Sequence, residues 1–478
     1  MPYYSIEVRR SSNIFKWLDW PTVLIYLALM FLGWINIYAA VFAEDHASIF
    51  DVSQRYGMQL IWIAAALLIA ITVLAIDARF YLVFANYFYA LILLVLVFVI
   101  FFGVEVNASK SWIQLGGIRI QPAEFAKFAT VLALAKYMSS YGFKLNSFKA
   151  YLNSVLIVLV PVVLILLQND AGTAMVFASL VFVFYREGMP HWVLAFLAFF
   201  VALFILELIF DRLLILVGVI VLTIVLFAAI GKRLKDTLRF AFGLFGMIAL
   251  LFGTSEFLDL NISPYYIVLI PVAITIPVAI VYAYLNKVKY VFFLLFFLIS
   301  STAFSFSVDY IFHNVLDHHH RDRINDLLGI ESDPLGWGYN VNQSKIAIGS
   351  GGFSGKGFLQ GTQTKFNFVP EQSTDFIFCT VGEEWGFVGT TFVVILFVSL
   401  LLRLVKMAER QKEAFSRIYG YGVISILFFH IAINIAMTIG LFPVIGIPLP
   451  FFSYGGSSLW SFTILLFIFL KLDSSRLD

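Results

Sequence analysis

From Pro21 to Leu470 the chain alternates long apolar runs with short polar breaks. A bilayer core of roughly 30 Å takes about 20 consecutive apolar residues in a helix. Runs of that kind stand near 21–43, 57–76, 80–102, 122–138, 153–168, 172–185, 191–209, 213–230, 238–254, 264–283, 290–308, 376–402, 418–440 and 457–470. They predict an all-α polytopic membrane protein of about fourteen transmembrane helices, one membrane domain over 1–478. One interruption, 309–375, breaks the rhythm. Its stretch ESDPLGWGYNVNQSKIAIGSGGFSGKG, Glu331 to Gly357, is polar and holds six glycines between Gly336 and Gly355. Long loops without structure of their own are uncommon in folded domains, so short helices are expected inside it. Irregular backbone is not tolerated against lipid, so the glycine-rich part must lie over the bundle or line a wet cavity.

Composition sharpens this picture. The mean hydropathy is +0.94 and 13% of residues are charged, about half of the roughly 25% typical of soluble domains. The start, MPYYSIEVRRSSNIFKWLDW, is polar and leads into a full-length apolar run, which reads as a retained anchor and not as a cleaved signal. The single cysteine, Cys379, excludes an intrachain disulfide and a cysteine-rich metal site.

Cytoplasmic loops of membrane proteins are enriched in Lys and Arg. With both termini inside, 21 of the 31 basic residues fall on the cytoplasmic side, nine fall outside and Lys127 lies within a span. This orientation makes 309–375 an extracytoplasmic loop of a multi-pass membrane protein. Cytoplasmic ATP is then out of its reach. Lys356 is also followed by glycine, which breaks the phosphate-loop pattern. No nucleic-acid partner is expected.

Charged residues within spans are costly and usually mark a site or a pathway. In QPAEFAK, 121–127, Pro122 suits a first helical turn, and Glu124 and Lys127 share one face at i, i+3. They read either as an internal ion pair or as part of a site at the outer boundary. Asp170 in QNDAGT is either a helix cap or an outward polar group. Glu383 and Glu384 stand in GEEWG, and GLFPVIGIPLPFFSYGGSS, 440–458, reads as a reentrant segment. His318, His319 and His320 are consecutive and point in different directions, which favours a surface tract over a metal site.

Taken in order, QPAEFAK, QNDAGT, RDRINDLLGIESDPLGWGYNVNQSKIAIGSGGFSGKGFLQGTQTKFNFVPEQSTDFIF, GEEWGFVG and GLFPVIGIPLPFFSYGGSS resemble the signatures of the shape, elongation, division and sporulation family, whose members polymerise lipid II. The likeness spans roughly 21–190 and 290–470, and GKGFLQGTQ followed by FVPEQSTDF is similar to the elongation branch. The family pattern has ten spans. Five apolar runs stand here between 191 and 308 where the pattern has one, so this region is expected to hold a four-helix insertion that leaves the sidedness of every motif unchanged.

The resemblance implies a peptidoglycan glycosyltransferase whose site lies in the 309–375 loop. Asp333, in the DPxGxGY pattern, is implied as the general base that takes the proton of the attacking sugar hydroxyl. Single displacement with inversion needs one such base and no enzyme nucleophile. Undecaprenyl pyrophosphate leaves, and Arg321, Arg323, Lys345 and Lys356 are the cations available to it. Arginine suits bidentate contact with phosphate oxygens. Gln343, Ser344 and Glu371 are further candidates for substrate contact, and Glu124, Lys127, Asp170, Glu383 and Ser453 are candidates for support. A divalent cation, Mg or Mn, is a possible cofactor, with its ligands unassigned. The loop glycines are expected to let backbone N–H groups approach sugar or pyrophosphate. The implied partner is a class B penicillin-binding protein, a transpeptidase. Two other functions fit a polar site at one face: transport of lipid II between leaflets, and scaffolding of a cell-wall synthase. Alternating-access carriers tend to show broken helices in two related halves, and no such repeat stands in the sequence.

Overall fold

The computed structural model describes residues 17–42, 48–106, 109–143, 145, 147–259, 262–310, 312, 314, 321, 325, 338–366 and 368–477. Asp333, Arg323 and the three histidines lie outside the described residues.

The chain runs through α1 (Trp20–Val41), α2 (Arg55–Ala75), α3 (Ala78–Phe102), a small sheet of β1 (Val104–Val106), β2 (Ser109–Leu115) and β3 (Ile118–Ile120), then α4 (Pro122–Met138), α5 (Phe148–Leu166), α6 (Ala171–Val176) and α7 (Val181–Arg186). Next come α8 (His191–Ile209), α9 (Arg212–Gly231), α10 (Leu234–Phe257), α11 (Pro264–Leu285) and α12 (Tyr290–Tyr310). The remainder is α13 (Tyr339–Ser350), the single turn α14 (Thr362–Lys365), α15 (Ile377–Glu409), α16 (Ala414–Thr438) and α17 (Gly456–Ser474).

Among the described residues twelve helices are long and apolar enough to cross a membrane. Two of the expected spans differ from the rest. The run at 122–138 forms the 17-residue α4, and the run at 172–185 is cut by a 3-10 turn, Phe177–Leu180, between α6 and α7. Ser179 donates from its hydroxyl to the Val176 carbonyl at 2.7 Å there, the back-bonding by which serine competes with the α-helical ladder. The three strands, an antiparallel meander in the order β1-β2-β3, were hidden from a hydropathy reading. Lys110 N–H donates to the Gln168 carbonyl at 2.9 Å and ties β2 to the approach to α6.

Contacts divide the chain into two compact units, one of 1–191 with 333–478 and one of 192–332. In the first unit α17 is buried over 83% of its apolar window, and α4 buries Glu124 and Lys127 along with its alanines. Charged groups join helix ends. Asp19 caps α1, accepting from Thr22 N–H at 3.1 Å, and takes a bidentate pair from Arg403 at 2.7 and 3.1 Å. Asp473 near the end of α17 accepts from Arg410, from Gln411 at 2.6 Å and from Arg476 at 2.5 Å.

The second unit contains α8 beyond His191 and α9–α12, which are the five helices read between 191 and 308. Its apolar clusters include one of Ile220, Leu244, Val268 and Val272, and Thr237, Ser255, Ser301 and Ser305 are buried in the same unit. Only 6% of the α8 window is buried, as suits a helix that is hydrophobic all round.

Candidate active site

The GEEWG motif sits near the start of α15, and α15 is broken there. Gly386 has φ 62° and ψ −157°, so Ile377 to Trp385 forms a separate helical segment from the rest. That geometry is closed to residues with a Cβ. Glu383 and Glu384 on the first segment are buried.

Glu383 gathers the loop around itself. Its carboxylate accepts from the N–H groups of Thr362, Gln363 and Thr364 at 2.8, 2.9 and 2.9 Å, from Thr364 Oγ1 at 2.8 Å and from Lys356 Nζ at 2.7 Å. Three free N–H groups at the start of α14 thereby find an anion, the arrangement that helix termini favour. Lys356 is thus placed as the counter-ion of Glu383, with Thr362 Oγ1 as a further acceptor at 2.7 Å.

The loop glycines approach protein backbone. A Cβ at Gly355 would stand 2.1 Å from the Glu384 carbonyl oxygen, and one at Gly351 would stand 2.0 Å from that of Gly382. The N–H groups of Lys356 and Gly357 donate to the carbonyls of Glu383 and Glu384, each at 3.0 Å, and Gly355 N–H donates to Gly351 O at 2.9 Å. These donors were expected to meet sugar or pyrophosphate. They are instead consumed in wrapping the loop over the broken helix, because the break leaves carbonyls that need partners.

Preceding this loop, α13 lies on a core of Ala347, Val369, Phe376 and Cys379. Ser344 is buried and donates to the Thr438 carbonyl at 2.8 Å, which fixes α13 to α16. Lys345, the next residue, is exposed, with its side chain beside Gly440. Gln343 is half-buried. Arg321 belongs to the second unit and is half-buried.

The segment 440–458 joins these parts to the helices. Ser453 donates to the Thr374 carbonyl at 2.6 Å and accepts from Leu449 N–H at 2.8 Å. Asn434 of α16 donates to the carbonyls of Asp375 and Ile447 at 2.9 and 2.8 Å. Glu371 is exposed and stands 3.6 Å from Arg55, which also donates to Ser373 Oγ at 2.6 Å.

The Glu124–Lys127 pair is buried in the same unit. Lys127 Nζ is 2.8 Å from Glu124 Oε2 and 3.0 Å from His430 Nε2, over the Phe462 ring at 4.3 Å. His430 Nδ1 lies 3.2 Å from the Pro448 carbonyl. A carbonyl only accepts, so Nδ1 carries the proton and Nε2 is the acceptor for the ammonium. Asp170 caps α6 at Thr173 N–H, 3.0 Å, and accepts from Gln121 Nε2 at 2.7 Å. The cap read for it is present, and the contact with Gln121 of QPAEFAK is an addition.

The structure brings Lys356 and Glu383 together, joins Glu124 to Lys127, and ties Ser344, Ser453, Glu371 and Asp170 into the scaffold around them. His430, Asn434 and Arg55 escaped the sequence reading. A histidine and an asparagine inside the run 418–440 were the signal for two of them; Arg55, at the start of a span, gave none. Among the described residues no three His, Cys, Asp or Glu side chains form a group able to hold a metal.

A helical, multi-pass membrane protein with a polar assembly built from broken helices is the class that this architecture defines. The chain belongs to the cell cycle protein family of FtsW, RodA and SpoVE, matching the family profile over residues 20–221 and 217–477. It is 32% identical over 460 residues to the peptidoglycan glycosyltransferase RodA of Treponema pallidum, covering 96% of this chain and 98% of that one. It is 30% identical over 443 residues to the peptidoglycan glycosyltransferase MrdB of Escherichia coli K12, covering 92% and 90%. Among solved structures, a chain of a peptidoglycan synthase complex that coordinates polymerization and crosslinking superposes with a TM-score of 0.60 at 26% identity, covering 96% and 98%. The rod shape determining protein RodA of Thermus thermophilus shares the fold, with a TM-score of 0.55 at 22% identity, covering 96% and 98%.

Proposed function

We propose that this chain is the peptidoglycan glycosyltransferase of cell elongation and polymerises lipid II into glycan strands at the outer face of the inner membrane. The observation that carries the reading is the pair of relatives named peptidoglycan glycosyltransferase, 32% and 30% identical over nearly the whole of both chains. The polar assembly around Glu383 supports it, since the DPLGWGY motif leads directly into α13 of that assembly. The orientation with both termini inside rests on the distribution of basic residues.

In the proposed mechanism Asp333 removes the proton from the acceptor's sugar hydroxyl as the oxygen attacks the donor's anomeric carbon. The bond to undecaprenyl pyrophosphate breaks on the opposite side, giving inversion. Lys345, exposed on α13, and the arginines 321 and 323 supply positive charge to the leaving group. Lys356 serves mainly to hold Glu383 and the loop. A divalent cation of the Mg or Mn kind, when bound, would add positive charge at the pyrophosphate oxygens. Glu124, Lys127 and His430 hold the reentrant segment beside the site. A class B penicillin-binding protein is the proposed partner, supported by the solved synthase complex that couples polymerization with crosslinking.

The test is the purified chain, alone and with its transpeptidase, given lipid II in detergent. Long glycan strands are expected. Well-folded protein that makes none with its partner present would return the function to transport or scaffolding, since detergent has no leaflets to transport between.

A further inference from the structure

The second unit holds an open cavity of about 350 Å³ between α10 and α11. Asp236, Arg239 and Tyr282 line one end of it, and Phe240, Leu244 and Val278 continue along its walls. Phe240, Leu244 and Tyr282 also line an inner, mainly apolar cavity of about 90 Å³ among α9–α12, with Thr223, Thr237 and Thr275 in its walls. The two share those walls.

Cations of this unit are concentrated at one end, with Arg212 at the other. Lys232, Arg233, Lys235 and Arg239 crowd the start of α10, while Glu256 and Asp259 stand at its other end, about 36 Å away at 1.5 Å per residue. Lys287 and Lys289, between α11 and α12, add to the cationic end. Asp236, the acid there, is already engaged: Tyr282 donates to it at 2.7 Å and Arg239 at 3.3 Å. The Arg239 side chain is 79% exposed, and Arg233 reaches Tyr282 Oη at 3.3 Å.

We propose that this groove binds an anionic diacyl phospholipid. The phosphate sits against Arg239 and Arg233, and an acyl chain runs along Phe240, Leu244 and Val278 toward the inner cavity. A cationic lip on an apolar groove between transmembrane helices matches both parts of such a molecule. A zwitterionic lipid would satisfy the walls and leave the surplus cations unanswered. A soluble phosphate would satisfy the lip and leave the walls bare. Anionic lipid thereby becomes a structural ligand of the inserted bundle, in a site separate from the one proposed for lipid II.

Native mass spectrometry of the full chain in detergent, titrated with dioleoyl phosphatidylglycerol or dioleoyl phosphatidylcholine, tests this. One phosphatidylglycerol is expected to be retained at concentrations about tenfold lower than phosphatidylcholine. The double variant Arg233→Gln, Arg239→Gln should abolish the preference. Gly243→Phe leaves charge untouched; a Cβ there meets nothing within 4 Å, so the ring can fill the groove, which Gly243 lines, and retention should fall. Val278→Trp fills it from the opposite wall should the glycine variant fold poorly. Equal retention of the two lipids by wild type, an unchanged preference in folded variants, or displacement of phosphatidylglycerol by millimolar inorganic phosphate would each overturn the proposal.

Discussion

The two units face the same problem, a helical chain in lipid, and solve it with opposite chemistry. In the first, the carboxylates of Glu124 and Glu383, the ammonium of Lys127, the imidazole of His430 and the amide nitrogen of Asn434 are all buried, and each is met by partners at 2.7–3.2 Å. In the second, the polar contacts between helices include Ser305 with Glu207, Tyr282 with Asp236 and Arg233 with Tyr282, while aromatic rings such as Phe199, Phe200, Phe297 and Phe304 pack in the interior. Buried polar networks specify one arrangement and leave little tolerance for change. Apolar helices among aromatic rings tolerate substitution and serve as surface toward lipid. The difference teaches where chemistry can reside: a site that must hold charges in fixed places needs the first kind of interior.

The largest effect should come from unpairing the buried ions. Glu124→Gln leaves the Lys127 ammonium with His430 and the Phe462 face but no hydrogen-bonded counter-charge, and breaking such a pair costs about 3–5 kcal/mol. A lower midpoint of thermal unfolding in detergent is expected, with loss of polymerisation. Wild-type stability and turnover would remove the pair from both the fold and the site. Glu383→Gln should come next. It keeps the shape but loses the anion that Lys356 and three N–H groups address, at about 1.5–3 kcal/mol for a charged hydrogen-bonded group. Hydrogen exchange should quicken over 356–366 while the helices of the second unit stay unchanged.

A smaller, pH-dependent effect belongs to Asp19. Burial opposes its ionisation, but hydrogen bonds from Arg403 and Thr22 outweigh that and hold its pKa below the ordinary 3.8. A depressed folded pKa gives stability that is complete above 3.8 and fades as pH falls through the folded value. Asp19→Asn should therefore lower stability at neutral pH, and the gap from wild type should close on acidification. The smallest change is expected at a lipid-facing position of the second unit. Phe242→Leu, at a side chain 75% exposed, should alter unfolding by no more than about 0.5 kcal/mol.

Hydropathy made the helices legible because each span is a long run with charged or polar ends, and the motifs QPAEFAK and GEEWG marked two buried charge centres. Several features were beyond such a reading. The strands at 104–120 are short and lie between spans, so no apolar period announces them. That Lys356 would pair with Glu383, 27 positions away, depends on the break at Gly386, and a glycine within a span does not say which way the chain will turn. His430 was visible as a polar residue in an apolar run, yet its partner Lys127 lies 303 residues distant. The loop glycines were recognised as demanding close approach, but sequence could not tell a ligand from the chain's own carbonyls.

The polar assembly of the first unit is proposed to serve a polymerase whose base is Asp333, and one comparison tests this most directly. Wild type and Asp333→Asn, purified with the transpeptidase partner, should be given lipid II and their products resolved by length. Asparagine keeps the shape and lacks the basic oxygen, so a loss of roughly 10²–10⁴-fold is expected, with expression and partner binding intact. Full-length strands from the Asp333→Asn protein at the wild-type rate would contradict the account.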